Sequence, residues 1–326
     1  MGNISYSVTD VCYNFYRSSS PFNATSAYYT GNEKEQSFIA FIKQEITSHE
    51  MKVSTRKNHE STINLLRRFR PGICFKDINY QFVCDFEAYM ESLAYHKNTI
   101  AKHMKQLKRH INTVINKDLI NLKQYPFRQY KIKTQVPNRN HLTPDELKRI
   151  ENYPSRSCIG KSRCRDMFLF SFYTRGMSFV DMAYLKKKDL HNGILTYRRK
   201  KTGQQLSIKW EQCMQEIIEK YPPNPTEYLL PIITSTDEDE RLQYRNSLTL
   251  VNRKLKILSV FVRSPHPLSM YVARHSWASI AKSKNIPLSI ISEGMGHDSE
   301  TTTQIYLASL DTTIIDRANY LILNDL

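Results

Sequence analysis

No apolar run in this chain approaches the ~18 residues that a membrane-spanning helix needs. The stretch Met167-Phe168-Leu169-Phe170 is already broken by Ser171. The amino end, Met1-Gly2-Asn3-Ile4-Ser5-Tyr6, lacks a basic-then-apolar export pattern, and Tyr6 stands where a myristoylation pattern needs Ser or Thr. The expectation is a cytoplasmic protein with no membrane partner. Cysteine is sparse: Cys12, Cys74, Cys84, Cys158, Cys164 and Cys213 are scattered without Cys-x-x-Cys spacing. That argues against a zinc ribbon and a disulfide framework and leaves reduced thiols. Acidic residues are short as well, 31 against 47 Lys and Arg, for a net charge of +16. Such an excess points to a polyanionic partner, nucleic acid before an anionic membrane surface. Hydrophobic residues at 40% and charged ones at 24% exclude a largely disordered or fibrous chain, and 326 residues suit two domains.

Residues 1–30 are rich in Ser, Asn and Tyr without periodicity and read as a loosely ordered arm. Four amphipathic helices follow within residues 31–122. Phe38, Phe41, Ile42 and Ile46 recur at helical spacing between Asn32 and Ser48, as do Ile63, Leu66 and Phe69 between Arg56 and Phe69. A third helix is expected from Tyr80 through Leu93. The fourth runs from Asn98, read as its cap, to about Ile115, with Ile100, Met104, Leu107 and Ile111 as its buried stripe. This last helix carries Lys102, Lys105, Lys108 and Arg109. A solvated face would explain such a run, but the global charge favours phosphate contact. Residues 123–140 hold two prolines and many basic side chains and read as an extended linker.

A second domain is expected over residues 141–326. Thr143, Pro144 and Glu146 form an N-cap, a first-turn proline and a capping box. An apolar helix from Arg165 to Tyr173 leads to Arg175-Gly176-Met177-Ser178, where Ser178 and Asp181 read as another capping box. Lys161-Ser162-Arg163 before it reads as a surface turn. Ile194 to Arg199 and Gln205 to Ile208 read as a hairpin with Lys201-Thr202-Gly203 at its turn. Helices are expected again from Trp210 to Lys220 and from Ser269 onward. The fold class is therefore mainly α with a small antiparallel β-sheet.

The last third concentrates groups that handle a phosphodiester. Tyr271 and Arg274 are three apart on one expected helix, beside an apolar stripe of Ala273, Trp277, Ile280 and Ala281. Ala273-Arg274-His275-Ser276, then Gly296-His297, then Tyr306 nine residues later, after a Lys-Thr-Gly hairpin and a basic helical domain, resemble the tyrosine recombinase, or phage integrase, family over about residues 32–326.

The resemblance implies a helical core-binding domain and a catalytic domain that close around duplex DNA. It implies that Tyr306 attacks a backbone phosphorus to give a 3′-phosphotyrosyl bond, that Lys201 (with Lys200 as near alternative) protonates the leaving 5′-oxygen, and that Arg274 and His297 hold the phosphate. Neither metal nor other cofactor is implied. Two positions depart from the family pattern. Aligning Gly176-Met177 with the family's Thr-Gly-x segment puts Ser178 where its first arginine stands, so the charge is assigned to Arg175. Tyr271 stands where a histidine is usual; it can donate a hydrogen bond but is a poor proton shuttle near neutral pH. The departures fit a divergent mobile-element branch.

The expected function is site-specific recombination by a bacterial, DNA-associated enzyme. Its expected partners are double-stranded DNA, a homotetramer on paired sites and accessory DNA-bending proteins. A final helix from Ser309, with Ile314, Ile315, Ala318, Leu321 and Ile322 apolar, would dock on a neighbouring protomer. DNA relaxation of the type IB topoisomerase kind, or a noncatalytic DNA-binding protein on the same fold, are the alternatives. Taken singly, Tyr306 would be an ordinary half-buried ring, His275 structural and Trp277 core.

Overall fold

The computed structural model describes residues 37–121, 125–135, 140–154, 159–297 and 299–307, with backbone only at 159–161, 302 and 305–307. The arm expected over 1–30 and the last helix expected from Ser309 lie outside the described residues. The chain divides into two compact units, Met1–Val136 and Pro137–Leu326.

In the first unit, helices α1 (Phe38–Ser48), α2 (Val53–Phe69), α3 (Tyr80–Ser92) and α4 (Lys97–Asn116) surround one apolar core. Ser37 starts α1 by accepting from the Ala40 N–H, and Asn79 starts α3 by accepting from Phe82. The stripe expected on α4 is buried: Ile100, Met104, Leu107 and Ile111 face Phe38, Ile42, Leu66 and Phe86. The cap of α4 differs from the expectation. His96 takes the extended N-cap conformation and its ring accepts from the Asn98 N–H, while Asn98 Oδ1 accepts from the Gln135 N–H. Phe127 and Tyr130, from the segment read as linker, are buried in this core.

The second unit opens with α5 (Pro144–Glu151), where the capping box forms: Thr143 Oγ1 accepts from Glu146 N, and Glu146 Oε2 accepts from Thr143 N. Next come α6 (Ile159–Tyr173), α7 (Phe179–Ala183), a three-stranded antiparallel sheet, and α8 (Gln212–Glu219). The helix expected from Arg165 begins six residues earlier and absorbs Lys161–Arg163, read as a surface turn; Cys164 and Arg165 are buried on it. Strands β1 (Leu190–His191), β2 (Ile194–Arg198) and β3 (Gln205–Lys209) lie in that order, with Tyr197 opposite Leu206 and Arg198 opposite Gln205. Four further helices are α9 (Glu240–Phe261), α10 (Met270–Ser283), α11 (Leu288–Met295) and α12 (Glu300–Leu307). Helix α9 was not anticipated, although Asp239 caps it and Val251, Leu255 and Leu258 bury at helical spacing.

The second core gathers Phe168, Phe170, Met182, Leu195, Ile208, Leu255 and Ala273. It packs α6 between α9 and α10, so the ends of α6, α10 and α11 come together. No described helix is long and apolar enough to cross a membrane.

Candidate active site

Arg274 is a charged side chain held inside the second unit, 5% exposed. Burial of a cation is costly unless its donors are matched. Two backbone carbonyls and a ring nitrogen match them. Nη1 donates to Gly176 O at 2.8 Å, and Nη2 donates to Met295 O at 2.7 Å and to His297 Nε2 at 3.0 Å. A guanidinium has no acceptor, so His297 Nε2 must accept and its proton sits on Nδ1. That nitrogen lies 2.7 Å from Thr303 Oγ1, a buried hydroxyl on α12. A short relay thus joins Arg274 on α10 to His297 and on to α12, which carries Tyr306 three residues past Thr303. The Tyr306 side chain lies outside the described residues.

The turn beneath Arg274 is specified by backbone geometry. Helix α6 ends in two consecutive left-handed residues, Arg175 (φ 60°) and Gly176 (φ 73°). Arg175 N donates to Phe172 O and Gly176 N to Ser171 O, the paired bonds of a Schellman ending. Only glycine fits at 176, because a Cβ there would stand 2.8 Å from both Cα and Cγ of Arg274. Arg175 is half-buried, and its Cδ lies 3.7 Å from where a Cβ on Gly294 would be, beside Trp277. Ser178 is engaged as the cap of α7 and donates to Asp181 Oδ2 at 2.6 Å.

Lys201 is exposed in the loop between β2 and β3. The loop is closed by Arg199 N donating to Gln204 O and Gly203 N donating to Arg199 O. Lys200 is turned aside, its Nζ 4.3 Å from the centre of the Tyr184 ring and its N–H on Asp181 Oδ1 at 2.8 Å. Tyr271 is 57% exposed, its ring edge-to-face with His275 at 4.8 Å. A three-residue step leaves about 60° between directions on a helix, enough to send Arg274 inward and Tyr271 outward. The structure therefore brings Arg274 and His297 together, sets Arg175 on the turn under them, and leaves Tyr271 at the surface.

Three residues of this neighbourhood were not read as site residues from the sequence, Asp181 having been read only as half of a capping box. Asp181 is buried and accepts from both the Lys200 N–H and the Ser178 hydroxyl. Arg199 is buried beside it. Tyr197, on β2, has its phenol pushed well above the usual value by burial and by Asp181, opposed by Arg274, Arg199 and Arg175. That opposition places three guanidinium groups within electrostatic reach of one buried ring. Alternation along β2 and into the residue after it was the available signal: Leu195, Tyr197 and Arg199 are buried, while Arg198 is exposed. In the first unit, Lys102, Lys105 and Arg109 are exposed on α4, and Lys108 is half-buried with its Nζ 5.8 Å from the centre of the Phe127 ring. Among the described residues, no group of three or more His, Cys, Asp or Glu is placed to hold a metal ion.

Comparison with known proteins bears on this arrangement. Residues 37–133 match the model of the phage integrase SAM-like domain, and residues 140–313 match that of the phage integrase family. The tyrosine recombinase XerA of Thermococcus kodakarensis is 29% identical over 171 residues, which are 51% of this chain and 56% of that protein. The chain therefore spans little more than half the length of this curated relative. Among solved structures, the Tn1549 transposon integrase in complex with transposon right-end DNA superposes with a TM-score of 0.68 at 15% identity, covering 89% of this chain and 100% of that one. A lambda integrase tetramer bound to a Holliday junction gives 0.62 at 18% identity over 82% and 76%.

Proposed function

The chain belongs to the phage integrase family, and from that premise we propose that it is a site-specific DNA recombinase acting through a covalent tyrosine–DNA intermediate. Tyr306 attacks a backbone phosphorus; its Oη–P bond forms as the bond to the 5′-oxygen breaks, leaving a 3′-phosphotyrosyl link. Lys201 delivers a proton to the departing oxygen. Negative charge gathers on the nonbridging oxygens in the transition state, and Arg274, held in direction by His297 and two backbone carbonyls, offers the guanidinium donors that meet it. Arg175 supplies the second guanidinium that Ser178 cannot. A 5′-hydroxyl from a partner strand then reverses the step, so bond energy is conserved and the cycle needs no cofactor.

The remaining assignments follow the same reading. Tyr271, at the exposed start of α10, faces the DNA as a hydrogen-bond donor. The α4 face bearing Lys102, Lys105, Lys108 and Arg109 neutralises phosphates, and residues 31–122 and 141–326 both bind the duplex. Four protomers assemble on paired sites in the cytoplasm.

The observation that carries this reading is the relay from Arg274 through His297 to Thr303 on the helix of Tyr306. The experiment is selection of denaturant-resistant adducts from a pool of nicked duplexes. The native protein should give a shifted band that Tyr306→Phe abolishes. A band that survives in Tyr306→Phe refutes the assignment of the nucleophile.

A further inference from the structure

Arg199 is a buried cation, 8% exposed, that the proposed chemistry does not use. It lies two residues before Lys201, and its own N–H and C=O close the loop that displays that lysine. Its side chain leaves the sheet and donates through Nη1 to the carbonyl of Gly296, the left-handed residue ending α11. Its Nε stands 4.0 Å from Asp181 Oδ2, and Asp181 Oδ1 in turn holds the Lys200 N–H. The fit around Gly296 is close. A Cβ there would lie 2.8 Å from Arg199 Cδ and 3.0 Å from both Gln204 Oε1 and Leu206 Cδ1. Gln204 Oε1 is itself buried without a hydrogen-bond partner among the described residues. The next residue after Gly296 is His297, the acceptor of Arg274. One guanidinium therefore bridges the loop of Lys201 and the turn that carries His297.

An apolar side chain of similar length would fill this space without the cost of burying a charge. What it could not do is hold two separate backbone segments in one register through directed donors. We propose that Arg199 is a positioning residue: it locks the β2–β3 loop to the Gly296–His297 turn, so that Lys201 and the phosphate-binding pair reach the scissile phosphate as one unit. The inference rests on the reading of Lys201 as the group that protonates the 5′-oxygen.

Two substrates that differ at one atom test it. With an ordinary 5′-bridging oxygen, the P–O bond breaks with its electron pair on oxygen, which needs a proton. With a 5′-bridging sulfur, the thiolate leaves without one. Lys201→Ala should lose about 10²- to 10⁴-fold in cleavage on the oxygen substrate and recover on sulfur. Arg199→Met and Arg199→Lys should lose at least about tenfold on oxygen, a change of 1.4 kcal/mol in the barrier, and should also recover on sulfur. Gly296→Ala, which drives a methyl against Arg199 Cδ, should follow the same pattern. Recovery on sulfur itself shows that a variant has folded with the rest of its site intact. Equal losses on both substrates in both Arg199 variants, alongside rescue of Lys201→Ala, overturn the inference alone, as does wild-type cleavage of the oxygen substrate by Arg199→Met. Failure of sulfur to rescue Lys201→Ala overturns the reading of Lys201 and the inference with it.

Discussion

Lowering the pH from 7 to 5 should loosen the first unit, and the size of the effect follows largely from one ring. His110 Nε2 lies 3.1 Å from His59 Nδ1 in the core between α2 and α4. Burial, then His59, then the Arg109 guanidinium push its pKa down to about 3. His59 is lowered by burial and Arg109, and His103 by burial and Lys102. Glu45, His49, Glu50, Arg109 and Lys117 line the cavity beside the pair. In the unfolded chain an imidazole titrates near about 6.5. Between that value and about 3, the unfolded chain takes up a proton that the folded chain refuses, so stability is present above the window and lost as pH falls through it. For His110 alone, a drop from pH 7 to pH 5 costs about 2 kcal/mol, or about thirtyfold in the opening equilibrium. Hydrogen exchange of the α2 and α4 amides in the full chain, corrected for intrinsic exchange rates, reads this directly. His110→Gln should flatten the dependence by that amount. Protection of α4 that is unchanged between the two pH values, or a slope that persists undiminished in His110→Gln, would refute the reasoning.

Two further outcomes are expected. Arg175→Gly should keep or raise thermal stability by up to about 1 kcal/mol, since glycine suits the left-handed position, while formation of the covalent adduct falls by about 10²- to 10³-fold; adduct formation at the native rate removes Arg175 from the chemistry. Alanine at Lys102, at Lys105 or at Arg109 should each reduce the slope of log affinity against log salt by about 0.9, the share of one neutralised phosphate, and an unchanged slope in all three takes α4 off the DNA.

Local signals were legible where one short segment decides the outcome. Thr143, Pro144 and Glu146 sit within four residues, and the helix starts where they say. The stripe on α4 was readable for the same reason. Its polar members were passed over, although His103 and His110 fall on the face of Ile100, Met104, Leu107 and Ile111 and are buried with them. The cap two residues upstream of Asn98 was missed because His is a rare capping residue, whereas Asn is a common one. Beyond the motif that brought Arg274 and His297 to one site, pairings between distant segments had no signature. Arg199 meets Gly296 across 97 residues and Arg274 meets Gly176 across 98, so their meaning exists only once the chain has folded. In the sequence Arg199 is one of four consecutive basic residues from Arg198 to Lys201, and charge alone cannot separate the structural cation from the exposed one.

The two left-handed turns fix the charges of this neighbourhood without calling on position 178. Charge in this neighbourhood is positioned by backbone: Gly176 and Met295 supply the carbonyls that hold Arg274, and the Gly296 carbonyl holds Arg199. Such a frame does not depend on the side chain at 178, which is free to cap α7. The cost appears one turn away. Arg175 occupies the residue of the α6 ending where glycine is usual, at φ 60°, and an L-residue in that conformation costs about 1 kcal/mol. Neither the paired bonds of the turn nor the fit of Gly176 against Arg274 needs an arginine there; a glycine would make the same bonds without strain. The fold gives no account of strain kept beside Arg274 on so long a side chain, and the contact with the phosphate proposed for Arg175 is what would account for it.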